Sequence, residues 1–181
     1  MLQLFKRYKS VLRFIVIYLG SYILLSILYH LYLVYFKSDY YYPDPVTHYV
    51  ARLSERLINI FGYDAMITPH QKELSMKLII NEVYLARIVE GCNAVSVMIL
   101  FTSFILAFFG KWKITLLYII FGCVSIFAMN ITRIAVLAVG LYKYPQHADF
   151  LHSVVFPLII YGTVFILWVL WARLFSKYQN L

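Results

Sequence analysis

The sequence predicts an all-α polytopic membrane protein with four transmembrane helices and both termini in the cytoplasm. Three observations support this prediction: 63% of the 181 residues are hydrophobic, only 13% are charged, and the mean hydropathy is +0.78. A soluble domain of this length has roughly half apolar and a quarter charged residues. We therefore expect a single membrane domain over residues 1–181, with little room for a separate soluble domain.

Four apolar segments are long enough to cross a hydrocarbon core, which takes about 20 helical residues. A run of tyrosines follows the first segment instead of the small residues of a signal-peptide cleavage site, so we expect an uncleaved first span. The predicted spans cover about residues 14–36, 92–109, 114–142 and 152–171.

The distribution of charge predicts the orientation of these spans. Basic residues without acidic neighbours lie before the first span, between the second and third, and after the fourth. All acidic residues lie in two other segments, residues 37–91 and 143–151. Short segments rich in Lys and Arg stay in the cytoplasm. We therefore expect residues 37–91 to form an outer loop on the non-cytoplasmic face of the cell (inner) membrane. The net charge of +8 suits contact with anionic membrane lipids, and we expect no nucleic-acid partner.

The outer loop is predicted to contain an amphipathic helix. Asp44 and Pro45 are typical of a helix N-terminus, and Gly62 is typical of a helix end. The polar face carries Arg52, Glu55, Arg56 and Asn59, and the apolar face carries Val46, Val50, Leu53, Leu57 and Phe61. We expect the apolar face to lie on the outer leaflet or on the other spans, with packing inside its own domain as the alternative.

A short β-hairpin is predicted farther along the outer loop. Residues 77–80 and 83–89 are rich in β-branched and aromatic side chains and flank the polar pair Asn81-Glu82. A further short helix is the alternative for the same residues.

Counting residues along the predicted spans places three chemically reactive residues at the same depth in the membrane. Cys92 begins the second span and His152 begins the fourth, both at the outer end. Arg133 follows Ile114 by roughly 28 Å of helix at 1.5 Å per residue, close to the thickness of a hydrocarbon core, about 30 Å. All three therefore lie near the outer boundary, where Asn130, one turn before Arg133, can orient the guanidinium.

These side chains have the chemistry of acyl transfer at a peptide bond. A thiol beside a cation ionises more readily and attacks carbonyl carbon, histidine exchanges a proton near neutral pH, and arginine can stabilise an oxyanion. No metal or organic cofactor is needed. Each residue also has a structural alternative: packing for Cys92, as for Cys123, snorkelling to headgroups for Arg133, and an interfacial position for His152. A metal site built from His147, Asp149 and His152 has no recognisable zinc spacing.

The same residues resemble a family. Glu90-Gly91-Cys92 at the start of one span, Asn130-Ile131-Thr132-Arg133 late in the next and His152 opening the last resemble the exosortase/archaeosortase family of membrane transpeptidases, most like the exosortase F type. The resemblance covers about residues 78–165 and implies catalytic roles for Cys92, Arg133 and His152. Two features depart from the family: many members have about eight spans, and many carry a small residue and glycine where Asn93 and Ala94 follow Cys92. The second departure bears on the substrate signal more than on the chemistry.

The resemblance implies a cysteine protease/transpeptidase that cleaves the C-terminal sorting tail of exported proteins at the outer face of the membrane. Such a tail has a short motif, a transmembrane helix and a basic cluster, and its cleaved protein passes through a thioester to an acceptor, which can be a lipid or glycan carrier. Three alternatives stay open: a protease that only hydrolyses, a non-enzymatic scaffold or assembly subunit of an envelope complex, and a transporter or channel fragment. The single intramembrane charge and the lack of paired broken helices argue against transport.

Overall fold

The computed structural model describes residues 8–36, 42–108 and 110–179, with side chains described as far as Leu174. Five helices and three strands make up the described fold. The helices are α1 (Lys9–Tyr35), α2 (Pro45–Ile60), α3 (Val95–Ala107), α4 (Trp112–Lys143) and α5 (Phe156–Gln179). The strands are β1 (Ala65–Pro69), β2 (Ser75–Ile80) and β3 (Val83–Val89). A 3₁₀ turn (Pro145–His147), one α-helical turn (Ala148–Phe150) and a π-helical turn (Leu151–Val155) connect α4 to α5.

The described chain is mostly helical and has three helical segments long and apolar enough to cross a membrane, as expected of a membrane protein: Lys9–Tyr35, Trp112–Lys143 and Pro145–Leu174. The segment expected as the second span forms a shorter helix than these three. Its first residue belongs to the 3₁₀ turn Glu90–Cys92, and α3 itself has 13 residues, about 20 Å of helix at 1.5 Å per residue. Helix α3 alone is therefore shorter than a hydrocarbon core.

Helices α3, α4 and α5 pack around a shared apolar core. Its fully or almost fully buried members come from all three helices: Phe101, Ile105, Ile126, Ile160, Val164, Leu167 and Trp171. Helix α1 has no buried residue and packs along α3 through aromatic rings, with Phe14 against Phe104 and Phe108. A helix that is apolar all round and lies on the outside of a bundle is suited to contact with lipid.

A second core lies between α2, the sheet and the later half of α4. Helix α2 begins as expected, because the Asp44 carboxylate accepts hydrogen bonds from the backbone N–H groups of Val46 and Thr47 and Pro45 follows it. Gly62, at φ 86, follows the end of the helix. This core contains Val50 and Ile58 of α2, Leu78 and Ile80 of β2, and Ala135 of α4.

The buried face of α2 differs from the predicted one. The buried residues are Thr47, Val50, Ala51, Ser54 and Ile58, whereas Phe61 is 64% exposed. The face is rotated because two residues assigned to the polar side bind the sheet. Glu55 Oε1 accepts a hydrogen bond from Ile67 N over 3.0 Å, and the Asn59 amide bonds both N and O of Ala65. Helix α2 thus packs on the sheet and on the later half of α4, and packing on another predicted span was part of the first expectation.

The sheet corrects the expectation of an all-α fold. Its three strands are antiparallel in the order β1-β2-β3. Asn81 and Glu82 join β2 to β3 with φ values of 46 and 66, the left-handed pair that a type I′ hairpin turn requires. Strand β1 was not predicted, because its alternation of buried and exposed residues covers only five positions and ends in Pro69.

Candidate active site

Cys92 lies at the junction between the sheet and the helical bundle. It closes the 3₁₀ turn Glu90–Cys92, directly after β3 and before α3. The thiol is free and half-buried. Asn130 of α4 donates a hydrogen bond from Nδ2 to the backbone oxygen of Cys92 over 2.8 Å. The position of the cysteine is therefore coupled to the middle of α4.

A polar network fixes the residue after Cys92. The buried Asn93 donates hydrogen bonds from Nδ2 to the Tyr29 hydroxyl over 2.8 Å and to Thr47 Oγ1 over 3.0 Å. Its Oδ1 accepts from Val95 N, the first residue of α3, over 2.9 Å. Asn93 thus links α1, α2 and α3 beside the thiol. From the sequence, Asn93 was recognised only as a departure from the family pattern, although a polar residue beside Cys92 at the start of an apolar run was a usable signal.

Arg133 is buried in α4, with 5% of its surface exposed. No carboxylate in the described residues forms an ion pair with it, and its buried Nε has no hydrogen-bond partner. Its Cζ lies 3.5 Å from the centroid of the Phe156 ring, and Cys92 and Tyr161 are close enough for its charge to act on them when they are ionised. This environment differs from that of an arginine that snorkels to headgroups, because the guanidinium is enclosed by protein.

His152 lies in the π-helical turn Leu151–Val155 and is exposed. Its ring stacks on Phe156, with 5.4 Å between the ring centroids and 9° between the ring planes. Phe156 therefore contacts both the imidazole of His152 and the guanidinium of Arg133. This aromatic residue was not identified from the sequence, since nothing distinguishes it from the other thirteen phenylalanines of the chain.

Cys92 and His152 line the same cavity, which has a volume of about 480 Å³. One wall is β3, from Leu85 to Val89, and the opposite wall includes Asp149 and Phe156. Arg133 does not line this cavity; it lies next to Phe156, which does. The structure thus brings the Cys92 thiol and the His152 imidazole to one cavity, and the Arg133 guanidinium lies beside that cavity.

The other candidate residues stay apart from this arrangement. Cys123 lies 3.6 Å from Thr102 Oγ1, between α4 and α3, and packs against the bundle core. Within the described parts of the chain, no group of three or more His, Cys, Asp or Glu residues is arranged to hold a metal ion. The residues His147, Asp149 and His152 accordingly do not form such a group.

Comparison with known proteins identifies the family of the chain. Residues 11–174, most of the chain, match the sequence model of the transmembrane exosortase family. Searches of curated proteins and of solved structures found no match. Because the match spans both the helical bundle and the sheet between α1 and α3, the chain belongs to the transmembrane exosortase family.

Proposed function

We propose that this protein is a membrane cysteine transpeptidase that cleaves the C-terminal sorting tails of exported proteins through a thioester and transfers them to an acceptor. Membership of the transmembrane exosortase family supports the class of reaction. The observation that carries the residue assignments is the cavity shared by Cys92 and His152, with the buried Arg133 next to it. An exosortase of the F type is the subtype that the residues around Cys92 resemble most.

We propose that the protein lies in the inner membrane of the cell, with four spans. Both termini are then in the cytoplasm. In this arrangement α3 crosses together with its flanking residues, since 13 helical residues cover about 20 Å of a core about 30 Å thick. The basic residues before α1, between α3 and α4, and after α5 then lie on the cytoplasmic side. The sheet and Cys92 face outward, where a tail anchored by its own spanning helix presents a peptide bond.

The chemistry follows from the three side chains. The thiolate of Cys92 attacks the carbonyl carbon of the scissile bond, and the resulting oxyanion is stabilised by the Arg133 guanidinium. When the tetrahedral intermediate collapses, the C–N bond breaks, His152 gives a proton to the leaving amine, and a thioester remains on Sγ. An acceptor amine, on a lipid or glycan carrier, then loses a proton to His152 and attacks the thioester, which returns the thiolate.

The environment of Arg133 supports a role in charge stabilisation. A buried guanidinium without a carboxylate partner is costly to the fold, so its retention in a membrane span suggests that an anion forms beside it during function. The thiolate of Cys92 and the oxyanion are two such anions at the same place. Stacking on Phe156 holds the guanidinium plane while leaving its edge N–H groups available to an oxyanion.

The test is to replace Cys92 in the cells that produce the protein and to follow the tails of exported proteins. Cys92→Ala should leave these proteins unprocessed, with normal amounts of the enzyme in the membrane, and wild type should restore cleavage. Cys123→Ala is the matched control and should process normally. Normal processing by Cys92→Ala would instead support the scaffold alternative.

Two further measurements complete the assignment. The mass of the new carboxyl end distinguishes transfer from hydrolysis, since hydrolysis adds water and transfer adds the acceptor. Labelling of intact cells with a membrane-impermeant thiol reagent tests the orientation, because the reagent should reach Cys92 and spare Cys123. Labelling of Cys92 only after the membrane is opened would contradict the proposed topology.

A further inference from the structure

Strand β3 has a free edge that points into the active-site cavity. It pairs with β2 on one side and is the last strand of the sheet on the other. The direction of its backbone groups follows from the register. His70 N donates a hydrogen bond to Ser75 O over 2.9 Å, so the backbone groups of Ser75 point toward the β1 side of β2. Val89 is the partner of Ser75 across the ladder, and its N–H and C=O groups therefore point away from β2.

The same alternation applies to Arg87, two residues earlier, which pairs with Lys77. Among the described residues, the outward N–H and C=O of Arg87 and the outward N–H of Val89 have no hydrogen-bond partner, whereas the C=O of Val89 caps the 3₁₀ turn Glu90–Cys92. Both residues line the cavity that contains Cys92 and His152. A row of unpaired N–H and C=O groups on a strand edge is a template for another extended chain.

We infer that the free edge of β3 binds the substrate tail as an added β-strand, so that the tail is recognised through its backbone and led to Cys92. This inference rests on the proposed function and specifies how its substrate is held. The cavity separates the edge from the turn that carries His152 and offers about 480 Å³, space for a short extended segment. The occupant is the segment of the tail that precedes its spanning helix.

The direction of the added strand follows from the two chains. Strand β3 runs into the turn Glu90–Cys92 and then into α3, and the tail runs into its own spanning helix. Both chains thus run toward the membrane, so the tail adds parallel to β3. In a parallel pair, the N–H and C=O groups of one residue bond to two residues of the neighbouring strand. Bonds to Arg87 and Val89 would hold the tail a few residues before its carbonyl reaches Sγ of Cys92.

Backbone recognition suits an enzyme that processes many tails. Main-chain hydrogen bonds supply affinity without requiring particular side chains, and pockets beside alternate residues add preference. The pockets here are apolar on the β3 side, where Leu85 and Ile88 line the cavity. The Arg87 side chain forms an ion pair with Glu73.

Proline substitution tests the edge directly, because proline removes one N–H and is tolerated where that N–H points away from the sheet. Cells carry an exported reporter protein with a natural tail that accumulates uncleaved in the Cys92→Ala strain. Arg87→Pro should process this reporter at least about tenfold more slowly than Arg87→Ala, which loses the same side chain but keeps the N–H. Tyr84→Pro is the matched control: Tyr84 pairs with Ile79, so its N–H also points outward, but it does not line the cavity.

Equal processing by Arg87→Pro and Arg87→Ala would overturn the inference while leaving the proposed function intact. The proposed function itself fails only if Cys92→Ala processes the reporter. If Tyr84→Pro is also inactive, proline has disrupted the strand, and amide hydrogen exchange decides. In that measurement a synthetic copy of the tail is added to full-length Cys92→Ala protein in lipid nanodiscs. Exchange of the β3 amides should slow by about tenfold or more when the tail is present. Unchanged exchange, or slow exchange without the tail because two copies pair edge to edge, would overturn the inference.

Discussion

Asn130 donates a hydrogen bond from Nδ2 to the backbone oxygen of Cys92 over 2.8 Å. Arg133 lies one helical turn later on the same helix, close enough for its charge to act on the thiolate of that cysteine. A single helix therefore holds the backbone of the candidate nucleophile and presents the candidate oxyanion stabiliser. Asn130 and Arg133 lie in one continuous helix of 32 residues, so one turn of regular helix sets the spacing between them.

The first prediction concerns Asn130 as a positioning residue. Asn130→Asp keeps the size of the side chain but replaces the amide donor, so the carbonyl of Cys92 loses its partner. We expect tail processing to slow by about tenfold or more, since an unpaired buried polar group costs roughly 1–3 kcal/mol. The rate at which a thiol reagent labels Cys92 should change as well, because the cysteine is no longer held in one place.

Thr132→Ala provides the control for this substitution. Thr132 is exposed on the same helix, and its hydroxyl bonds only to Ala128 O within α4. It should leave both the processing and the labelling of Cys92 as in wild type. Unchanged labelling and processing in Asn130→Asp would show that this hydrogen bond does not position the nucleophile.

The second prediction separates the function of Arg133 from its effect on stability. Arg133→Met replaces a buried guanidinium that lacks a carboxylate partner with an apolar side chain of similar length. We expect processing to be lost. The thermal unfolding temperature should stay the same or rise by about 2–4 °C, because removing an uncompensated buried charge relieves a desolvation cost. Unfolding followed in detergent, together with the processing assay, measures both effects.

Arg133→Lys sharpens this test. A lysine keeps the positive charge but lacks the planar guanidinium that stacks on Phe156. It also lacks the N–H groups with which the guanidinium donates hydrogen bonds along two edges. We expect it to process at least about tenfold more slowly than wild type. Arg56→Gln, an exposed arginine on α2, serves as the control for loss of a cation. Full activity in Arg133→Met would remove the arginine from the mechanism.

The sequence allowed the long apolar helices to be predicted, together with the two polar residues inside one of them. A guanidinium and an amide inside an apolar helix are costly unless they find partners, so Asn130 and Arg133 were identifiable without coordinates. Counting along helices then placed both near Cys92 and His152. The wall of the site that β3 forms could not be predicted in this way, because the free edge of β3 depends on the pairing of the strands in the sheet.

The face of α2 shows a second limit. Helical periodicity predicted the burial of Phe61, yet Thr47, Ser54 and Ile58 are buried. Periodicity measures the pattern along one helix, whereas the buried face also depends on hydrogen bonds that Glu55 Oε1 and Asn59 Oδ1 accept from backbone N–H groups of the first strand. That strand was too short to be recognised from its own pattern. Partners that lie in another element are not visible to local reasoning.

The third prediction concerns Ala94, which has a φ of 62. This left-handed conformation strains any residue with a Cβ, by about 1–2 kcal/mol. Ala94→Gly relieves the strain but loses a buried methyl group and gains freedom in the unfolded chain, so we expect stability within about 0.5 kcal/mol of wild type. Ala135→Gly, an equally buried alanine in the middle of α4, has no strain to relieve and should cost about 1–2 kcal/mol.

The conformation of Ala94 also bears on a departure noted in the sequence, since the family pattern that the chain resembles places glycine at this position. The backbone conformation of Ala94 is one that glycine adopts without strain. Ala94→Val provides the opposite test, because a β-branched side chain is poorly tolerated at positive φ. We expect it to lower the yield of folded protein. Equal losses in Ala94→Gly and Ala135→Gly, measured by thermal unfolding, would contradict the strained conformation.

The fourth prediction concerns the contact between Gly122 of α4 and Phe101 of α3. A Cβ added at Gly122 would overlap the ring of Phe101, which is fully buried. Small residues at such crossings let two helices approach closely in membranes. Gly122→Ala should therefore lower stability by about 1–3 kcal/mol through overpacking. Gly20→Ala in α1 is the matched control, since nothing lies within 4 Å of its added Cβ, and it should be neutral or slightly stabilising.

A double substitution identifies the cause of the loss. If the overlap with the ring is responsible, Phe101→Leu should relieve it, and the double variant should be less destabilised than the sum of the two single variants. Thermal unfolding of the four proteins in the same detergent gives this coupling energy. Because α3 begins beside Cys92 and α4 carries Arg133, a shift of the two helices apart should also slow tail processing. Additive losses with unchanged processing would indicate that this crossing neither depends on the glycine nor sets the geometry of the site.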